Sequence, residues 1–445
     1  MWCFIRRFSL AGIALAAVLG APVTLLCGLS LAAPAVFAAD GPLTLAEAVR
    51  IAAGQSRQLA AQDAAVAAAK EMSISAGQLP DPVLRLGVEN LPVDGSDRFS
   101  ATRDFMTMRR IGVTQEFTRE EKRRLRGERG QQEAERESEN RRAALTNIQR
   151  DAAVAWLDRY YAEQMRAIVG SLQVESQASI DAAEAAYRGG RGSQADVLVA
   201  RAAIVMLGDR GSLLDKQIRT ARIALARWIG SDAERDLAGG PDIRSVRLDI
   251  DNLDAELQHH PQLAALAKQV QLAETDVRLA RAGKKSDWSV EIAYSQRGPS
   301  YSNMVSVGVS IPLQIAPGAR QDRELAAKLA LADQSRAQLE DAQRMHTAEV
   351  RAMIAEWETG RLRLARIETS LVPISTQRSQ VALAAYRGNA GTLAAVLEAR
   401  RNESETRMQA LQLAADTARA WAQLNFLLPE HEVPGAGGNT GGILK

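Results

Sequence analysis

One short segment occurs twice in this chain. Residues 185–201 read AAYRGGRGSQADVLVAR and residues 384–400 read AAYRGNAGTLAAVLEAR, 199 residues later, with 11 of 17 positions identical. Weaker echoes keep the same order: Gln58-Leu59-Ala60-Ala61 returns as Gln262-Leu263-Ala264-Ala265, and Trp156 returns as Trp357. Matches in the same order, at offsets of about 200 residues, mark an internal duplication. The expected organisation is therefore residues 1–38 as a leader, 39–238 as one repeat, 239–430 as a second, and 431–445 as a tail.

Each half follows one plan. A helical segment (43–77, then 253–283) precedes two short alternating segments. A very long helical stretch follows (119–188, then 320–387), a glycine-rich break ends it, and a return helix closes the half (193–229, then 392–428). Aromatic residues are only 4% of the chain. Scarce aromatics and abundant alanine suit long helices with thin seams. Seventy helical residues reach roughly 105 Å at 1.5 Å each. A rod that long must pack on other rods. In the first return helix Ile204, Leu207, Gly211, Leu214, Ile218, Ala221, Leu225 and Trp228 alternate spacings of three and four, a coiled-coil seam. Asp209, Arg210, Asp215, Lys216, Arg219 and Arg222 lie between them as a solvated face. At the breaks, Gly189, Gly190, Gly192, Gly388 and Gly391 are expected to supply positive φ and helix C-caps. Ser193 and Thr392 are expected to N-cap the return helices. The break is the best-kept part of the duplication, which suggests a contact surface beyond turn chemistry.

The alternating segments read as strands of period two. Residues 82–90 set Leu84, Leu86 and Val88 on one face. Residues 288–295 set Trp288, Val290, Ile292 and Tyr294 together. Residues 305–312 set Val305, Val307, Val309 and Ile311 together, and 109–117 alternate less cleanly around Ile111 and Val113. Their lengths approach those of membrane-spanning strands, with small or polar residues on the second face. A four-stranded soluble sheet packed on the helices is the competing reading. Four strands cannot close a barrel, and an open edge cannot sit in lipid. If these strands span a membrane, several chains pool them: two would give eight strands and a filled interior, three would give twelve and a lumen.

The N-terminus fits export. Arg6 and Arg7 precede an apolar run from Leu10 to Leu31, and Val36-Phe37-Ala38-Ala39-Asp40 follows, with cleavage expected after Ala38. A retained anchor is the alternative. Leu26 before Cys27 is a poor lipobox residue. Both cysteines, Cys3 and Cys27, fall in the leader, so the mature chain has no disulfide. Losing Arg6 and Arg7 leaves basic and acidic residues balanced, which argues against nucleic acid as a partner. His259-His260-Pro261 resembles a ligand pair but fits a helix start, with proline at the first helical position. No phosphate-binding loop, nucleophile elbow or zinc-protease motif is present. The expectation is a protein that is not an enzyme, with no cofactor and no resident metal.

Taken together, the residues resemble the TolC-type outer-membrane factor family along the whole mature chain. The likeness rests on the duplicated order, on both Tyr-Arg-Gly…Val-Leu-x-Ala-Arg reversals, and on Leu79-Pro80-Asp81-Pro82 leading into the first strand. The run from Gly87 to Phe117 looks most like the heavy-metal-efflux branch, although Arg119-Glu120-Glu121-Lys122 replaces the usual Pro-Gly-Lys turn. The resemblance implies a mainly α fold with four β-strands per chain. Three copies would form a 12-stranded barrel in outer-membrane lipid, continued by a periplasmic helical tunnel. It also implies a periplasmic adaptor and an inner-membrane pump, often of the resistance-nodulation-division type. The function implied is passive export, with heavy-metal cations as cargo. Drug efflux, type I protein secretion and a non-conducting periplasmic scaffold are the alternatives. By position, the docking tips match Gly189, Gly192, Ser193, Gly388, Gly391 and Thr392. The periplasmic gate matches Glu398 and Asp196, with Tyr187, Arg188, Tyr386 and Arg387 as tethers. Leu84, Leu86, Val88, Val290, Ile292, Val305, Val307 and Val309 would face lipid.

Overall fold

The computed structural model describes residues 41–429, apart from Arg191 and Asn389. The leader, both cysteines and the tail lie outside the described residues. The described residues from Pro42 onward form one compact unit.

Nine α-helices lie among the described residues: α1 (Leu45–Gln55), α2 (Arg57–Ala76), α3 (Glu120–Arg188), α4 (Gln194–Ile229), α5 (Leu253–Gln258), α6 (Pro261–Gly283), α7 (Gln321–Arg366), α8 (Val372–Arg387) and α9 (Leu393–Asn425). The first half supplies one unbroken rod in α3, and α4 returns along it. Its seam is as the heptads require: Gly211, Leu214 and Leu225 are buried and the other seam residues half-buried.

Three expected helices are interrupted, each for a local reason. Residues 43–77 split at Ser56, whose hydroxyl accepts from the Leu59 N–H at 3.2 Å and starts α2 afresh. Residues 253–283 split at His259-His260, where Pro261 opens α6. The long second-half helix is not continuous either: a π-turn at Ile367–Leu371 separates α7 from α8. Pro373 lies just beyond it. Proline has no N–H for the carbonyl four residues back, and its ring crowds that carbonyl, so the turn widens.

The duplication shows in the core. The Trp156 indole donates to the Leu43 carbonyl at 3.1 Å, and the Trp357 indole donates to the Ile243 carbonyl at 2.9 Å. Each tryptophan thus fastens a rod to the segment crossing it. Leu157, Val169, Leu225, Ile229, Val350 and Leu424 are buried in the same cluster. The Arg159 side chain is buried there and satisfied, donating to Glu163 at 2.7 Å and to the Ala233 carbonyl at 2.6 Å.

Between α6 and α7, His260 packs on His346 with ring centroids 4.0 Å apart. His260 is 6% exposed. Among the described residues, neither His260 Nδ1 nor His346 Nε2 has a hydrogen-bond partner. Burial, then the neighbouring His346 and Arg150 of α3, push the His260 pKa down to about 4. Burial also lowers His346, opposed by Glu349 on the same helix. The unfolded chain therefore takes up this proton first. His260 contributes fully above about pH 6.5, and its contribution falls by up to about 3 kcal/mol as pH drops toward 4. Denaturant titrations should show that loss in the natural chain and a smaller one in His260→Leu. An equal acid loss in both would remove His260 as its source.

The strands β1 (Val83–Glu89), β2 (Met108–Phe117), β3 (Trp288–Gln296) and β4 (Met304–Ser310) form one antiparallel sheet in the order β1-β2-β3-β4. The two halves meet at the β2–β3 pairing. β2 ends only two residues before α3 begins, so the sheet sits at one end of the rods. The glycine breaks sit at the other, roughly 100 Å away along the helix. Among the described residues no helix is long and apolar enough to cross a membrane.

Candidate functional site

Pairing register decides which side chains share a face. Leu84, Val113, Ile292 and Val307 form one cross-strand row, and Leu86, Ile111, Tyr294 and Val305 form the next. Val290 pairs with Val309, and Val88 stands at the far end of the same face. All eight strand residues singled out in the sequence lie on this face. Most are exposed, and Val290 is half-buried. At the end nearest the rods Phe117 stacks on Trp288, ring centroids 4.5 Å apart.

The opposite face is mostly polar or small, with Val83 and Met304 as apolar exceptions on the outer strands. It carries Arg85, Gly112, Ala293 and Ser306 in one row and Thr114, Glu291 and Gly308 in another. Arg110 spans it, 2.8 Å from Glu89 and 3.0 Å from Glu291. This charged triad was not legible beforehand. Its three residues come from three strands, and only the register unites them. Among the described residues, the outer strands β1 and β4 each leave one edge without a partner.

At the other end the two breaks are near copies. The N–H groups of Gly189 and Gly388 donate to the carbonyls of Ala185 and Ala384, both at 3.0 Å, and end α3 and α8. Only Gly190, at φ +68°, takes the left-handed conformation expected of all five glycines. Gly189 and Gly388 cap with negative φ. Gly192 and Gly391 are needed for space instead. A Cβ on Gly192 would meet Ala186 Cβ at 3.1 Å, and one on Gly391 would meet Ala385 Cβ at 3.2 Å. The return helix thus folds tightly against the end of the outgoing one.

The N-caps differ. The Ser193 hydroxyl accepts from the Asp196 N–H at 3.2 Å, and the Ser193 N–H donates back to the Asp196 carboxylate at 3.0 Å. This capping box holds the Asp196 carboxyl below its usual pKa range, chiefly through the Ser193 N–H and hydroxyl. Asp196 is therefore occupied within its own hairpin. Thr392 accepts from the Ala395 N–H at 3.2 Å, but Ala395 has nothing to return. Asp196→Ala should cost the first tip about 1 kcal/mol. Amide exchange in the first turn of α4 should speed accordingly, with α9 unchanged. Equal protection in α4 of both forms would contradict this assignment.

Glu398 is exposed on α9, with its carboxylate 3.8 Å from the Arg378 guanidinium on α8. It borders a groove of about 600 Å³ between the hairpins, lined also by Val199, Met206 and Leu397. Tyr187, Arg188 and Arg387 are exposed at the helix ends, and Tyr386 is half-buried. Arg400 reaches Glu175 on α3 at 3.2 Å and ties the two hairpins. Arg378 and Arg400 were not anticipated, because nothing in local spacing reports which acid faces them. Among the described residues no three His, Cys, Asp or Glu side chains are placed to hold a metal ion.

A paired-face sheet on two duplicated helical hairpins is a specific architecture. Residues 252–429 match the outer membrane efflux protein family. That match spans the second repeat, from the start of α5 past the end of α9. The matched family is one of efflux proteins rather than of enzymes. Solved structures share the fold of most of the chain. A membrane protein from Pseudomonas aeruginosa has a TM-score of 0.75 at 18% identity, covering 86% of this chain and 89% of its own. VceC, an outer membrane protein of Vibrio cholerae, scores 0.70 at 18% identity, covering 86% and 95%. CusC, described in terms of folding and transmembrane channel formation, scores 0.73 at 17% identity, covering 86% and 91%. No curated protein matches this chain.

Proposed function

We propose that this chain is the outer-membrane duct of a tripartite efflux assembly. Three copies pool their strands into a 12-stranded barrel, and their rods continue it as a periplasmic tunnel. The observation that carries this reading is the sheet. It has one continuous apolar face, one polar face, and two open edges that cannot remain open in lipid. The family match and the shared fold support it. So does an exposed apolar stripe on α4, Val199, Met206 and Leu213 at seven-residue spacing, which a neighbouring copy would cover.

In this reading Leu84, Leu86, Val88, Val290, Ile292, Val305, Val307 and Val309 face lipid, and Arg110 with its two carboxylates lines the lumen. The tips at Gly189–Ser193 and Gly388–Thr392 dock a periplasmic adaptor joined to an inner-membrane pump of the resistance-nodulation-division type. Glu398, with Asp196, Tyr187, Arg188, Tyr386 and Arg387 around the tips, forms the closed end. The cargo assigned is heavy-metal cations, on the strength of the Gly87–Phe117 run.

Light scattering on the detergent-extracted particle tests the assembly, and a trimer is expected. A monomeric or dimeric soluble particle would sink the duct. For the gate, Glu398→Gln removes three carboxylates around one axis, so cation selectivity in planar bilayers should fall. Unchanged selectivity would remove Glu398 from the conducting path. Metal resistance restored by this chain in a strain lacking its own duct would support the cargo, and failure with metals alone would overturn it.

A further inference from the structure

The duplication breaks at one place near the membrane end. In the first half, two residues, Thr118 and Arg119, join β2 to α3. In the second half, ten residues, 311–320, join β4 to α7. They begin Ile311-Pro312-Leu313-Gln314-Ile315. Leu313 is 81% exposed and Ile315 is 89% exposed, more than any other large apolar side chain among the described residues. Such exposure calls for a partner.

The segment is held in place. The Ser286 hydroxyl donates to the Pro312 carbonyl at 2.5 Å, and the Gln314 side-chain amide donates to the Gly283 carbonyl at 3.0 Å. Gln314 thus turns inward, and the odd-numbered neighbours face out. Ile311, Leu313 and Ile315 continue the parity of Val305, Val307 and Val309 beyond the end of β4. The apolar sheet face therefore runs on past the last hydrogen-bonded residue of the strand, toward the rods.

We propose that Ile311–Ile315 is a membrane-interface segment, whose apolar side chains enter the phospholipid leaflet on the rod side of the barrel. This rests on the outer-membrane reading above and adds where the leaflet ends. Three observations choose lipid over a second copy of the chain. The segment is continuous with the lipid-facing surface. Pro312 and Pro317 lack N–H donors, so a neighbouring strand cannot extend its ladder there. Arg320 and Arg323 follow a few residues on, exposed and without an ion-pair partner among the described residues, and cations just beyond an apolar surface favour anionic phosphate.

Spin labels can decide it. Single cysteines replace Leu313, Ile315, Val307 or Val174 in a chain with Cys3→Ser and Cys27→Ser. Each labelled protein is reconstituted in phosphatidylethanolamine–phosphatidylglycerol vesicles. Collision with oxygen reports lipid, and collision with a water-soluble nickel chelate reports solvent. Val174, exposed on α3 far from the sheet, is the aqueous control. Labels at 313 and 315 should meet the nickel chelate several-fold less than 174 and meet oxygen readily, as 307 does. If 307 reads lipid while 313 and 315 read water, the interface segment is wrong and the barrel stands. If 313 and 315 are shielded from both reagents, another copy covers them and the proposal is overturned. If 307 itself reads water, the outer-membrane reading falls, and this one with it.

Discussion

Arginine at both Ile292 and Val307 is expected to remove the chain from the outer-membrane fraction. The two residues are direct cross-strand partners in the middle of the apolar face. An arginine near the centre of a bilayer on the lipid side of a barrel costs about 2–4 kcal/mol. Two per chain, repeated around a trimer, exceed the margin by which most proteins stay folded. Ser306→Arg is the informative control. Ser306 is adjacent in sequence but pairs with Ala293 on the opposite, polar face. It should leave fractionation and trimer mass unchanged. Normal membrane assembly of the Ile292→Arg/Val307→Arg protein would contradict the lipid-facing barrel.

Gly360→Leu should be strongly destabilising within the rods. A Cβ at this position on α7 would stand 2.5 Å from Thr417 Oγ1 on α9. Thr417 cannot swing clear cheaply, because it is buried and its hydroxyl donates to the Leu413 carbonyl at 2.7 Å. The helices must separate, at a cost of about 3 kcal/mol or more. Even Gly360→Ala should lower the denaturant midpoint, and adding Thr417→Ala should restore most of it. Gly54 offers the contrast. It lies in α1 with nothing within 4 Å of its missing Cβ, so Gly54→Ala should be neutral or mildly stabilising. Equal effects at 54 and 360 would mean that helix propensity, rather than contact with α9, governs both.

Much of the architecture could be read from one sequence, because periodicity and duplication are local signals. The strands appear within two residues of their expected bounds. The Val305-Val307-Val309 alternation states its face without help from any partner. The helix interruptions were harder. Ser56 and Pro373 each carry the chemistry that breaks a helix, yet that chemistry is silent until tertiary packing favours one side of it. The glycine conformations failed for a related reason. Positive φ and tight space both select glycine, and only coordinates separate Gly190 from Gly192. At the candidate site, single residues were legible and pairs were not. Glu398 was marked by the family resemblance, but its neighbour Arg378 was not. Arg110 carries no local sign of its partners, because Glu89 and Glu291 reach it only through the strand register.

The unpaired edges of β1 and β4 have a genetic consequence. In a barrel closed by three copies, no chain can complete its membrane domain alone, and each copy guards the edges of two others. A variant that folds its rods but spoils one edge would still be recruited into mixed particles. At equal expression, random mixing leaves only about one particle in eight free of the defective copy. Such an allele would therefore act dominantly, whereas a chain that never folds would merely be absent.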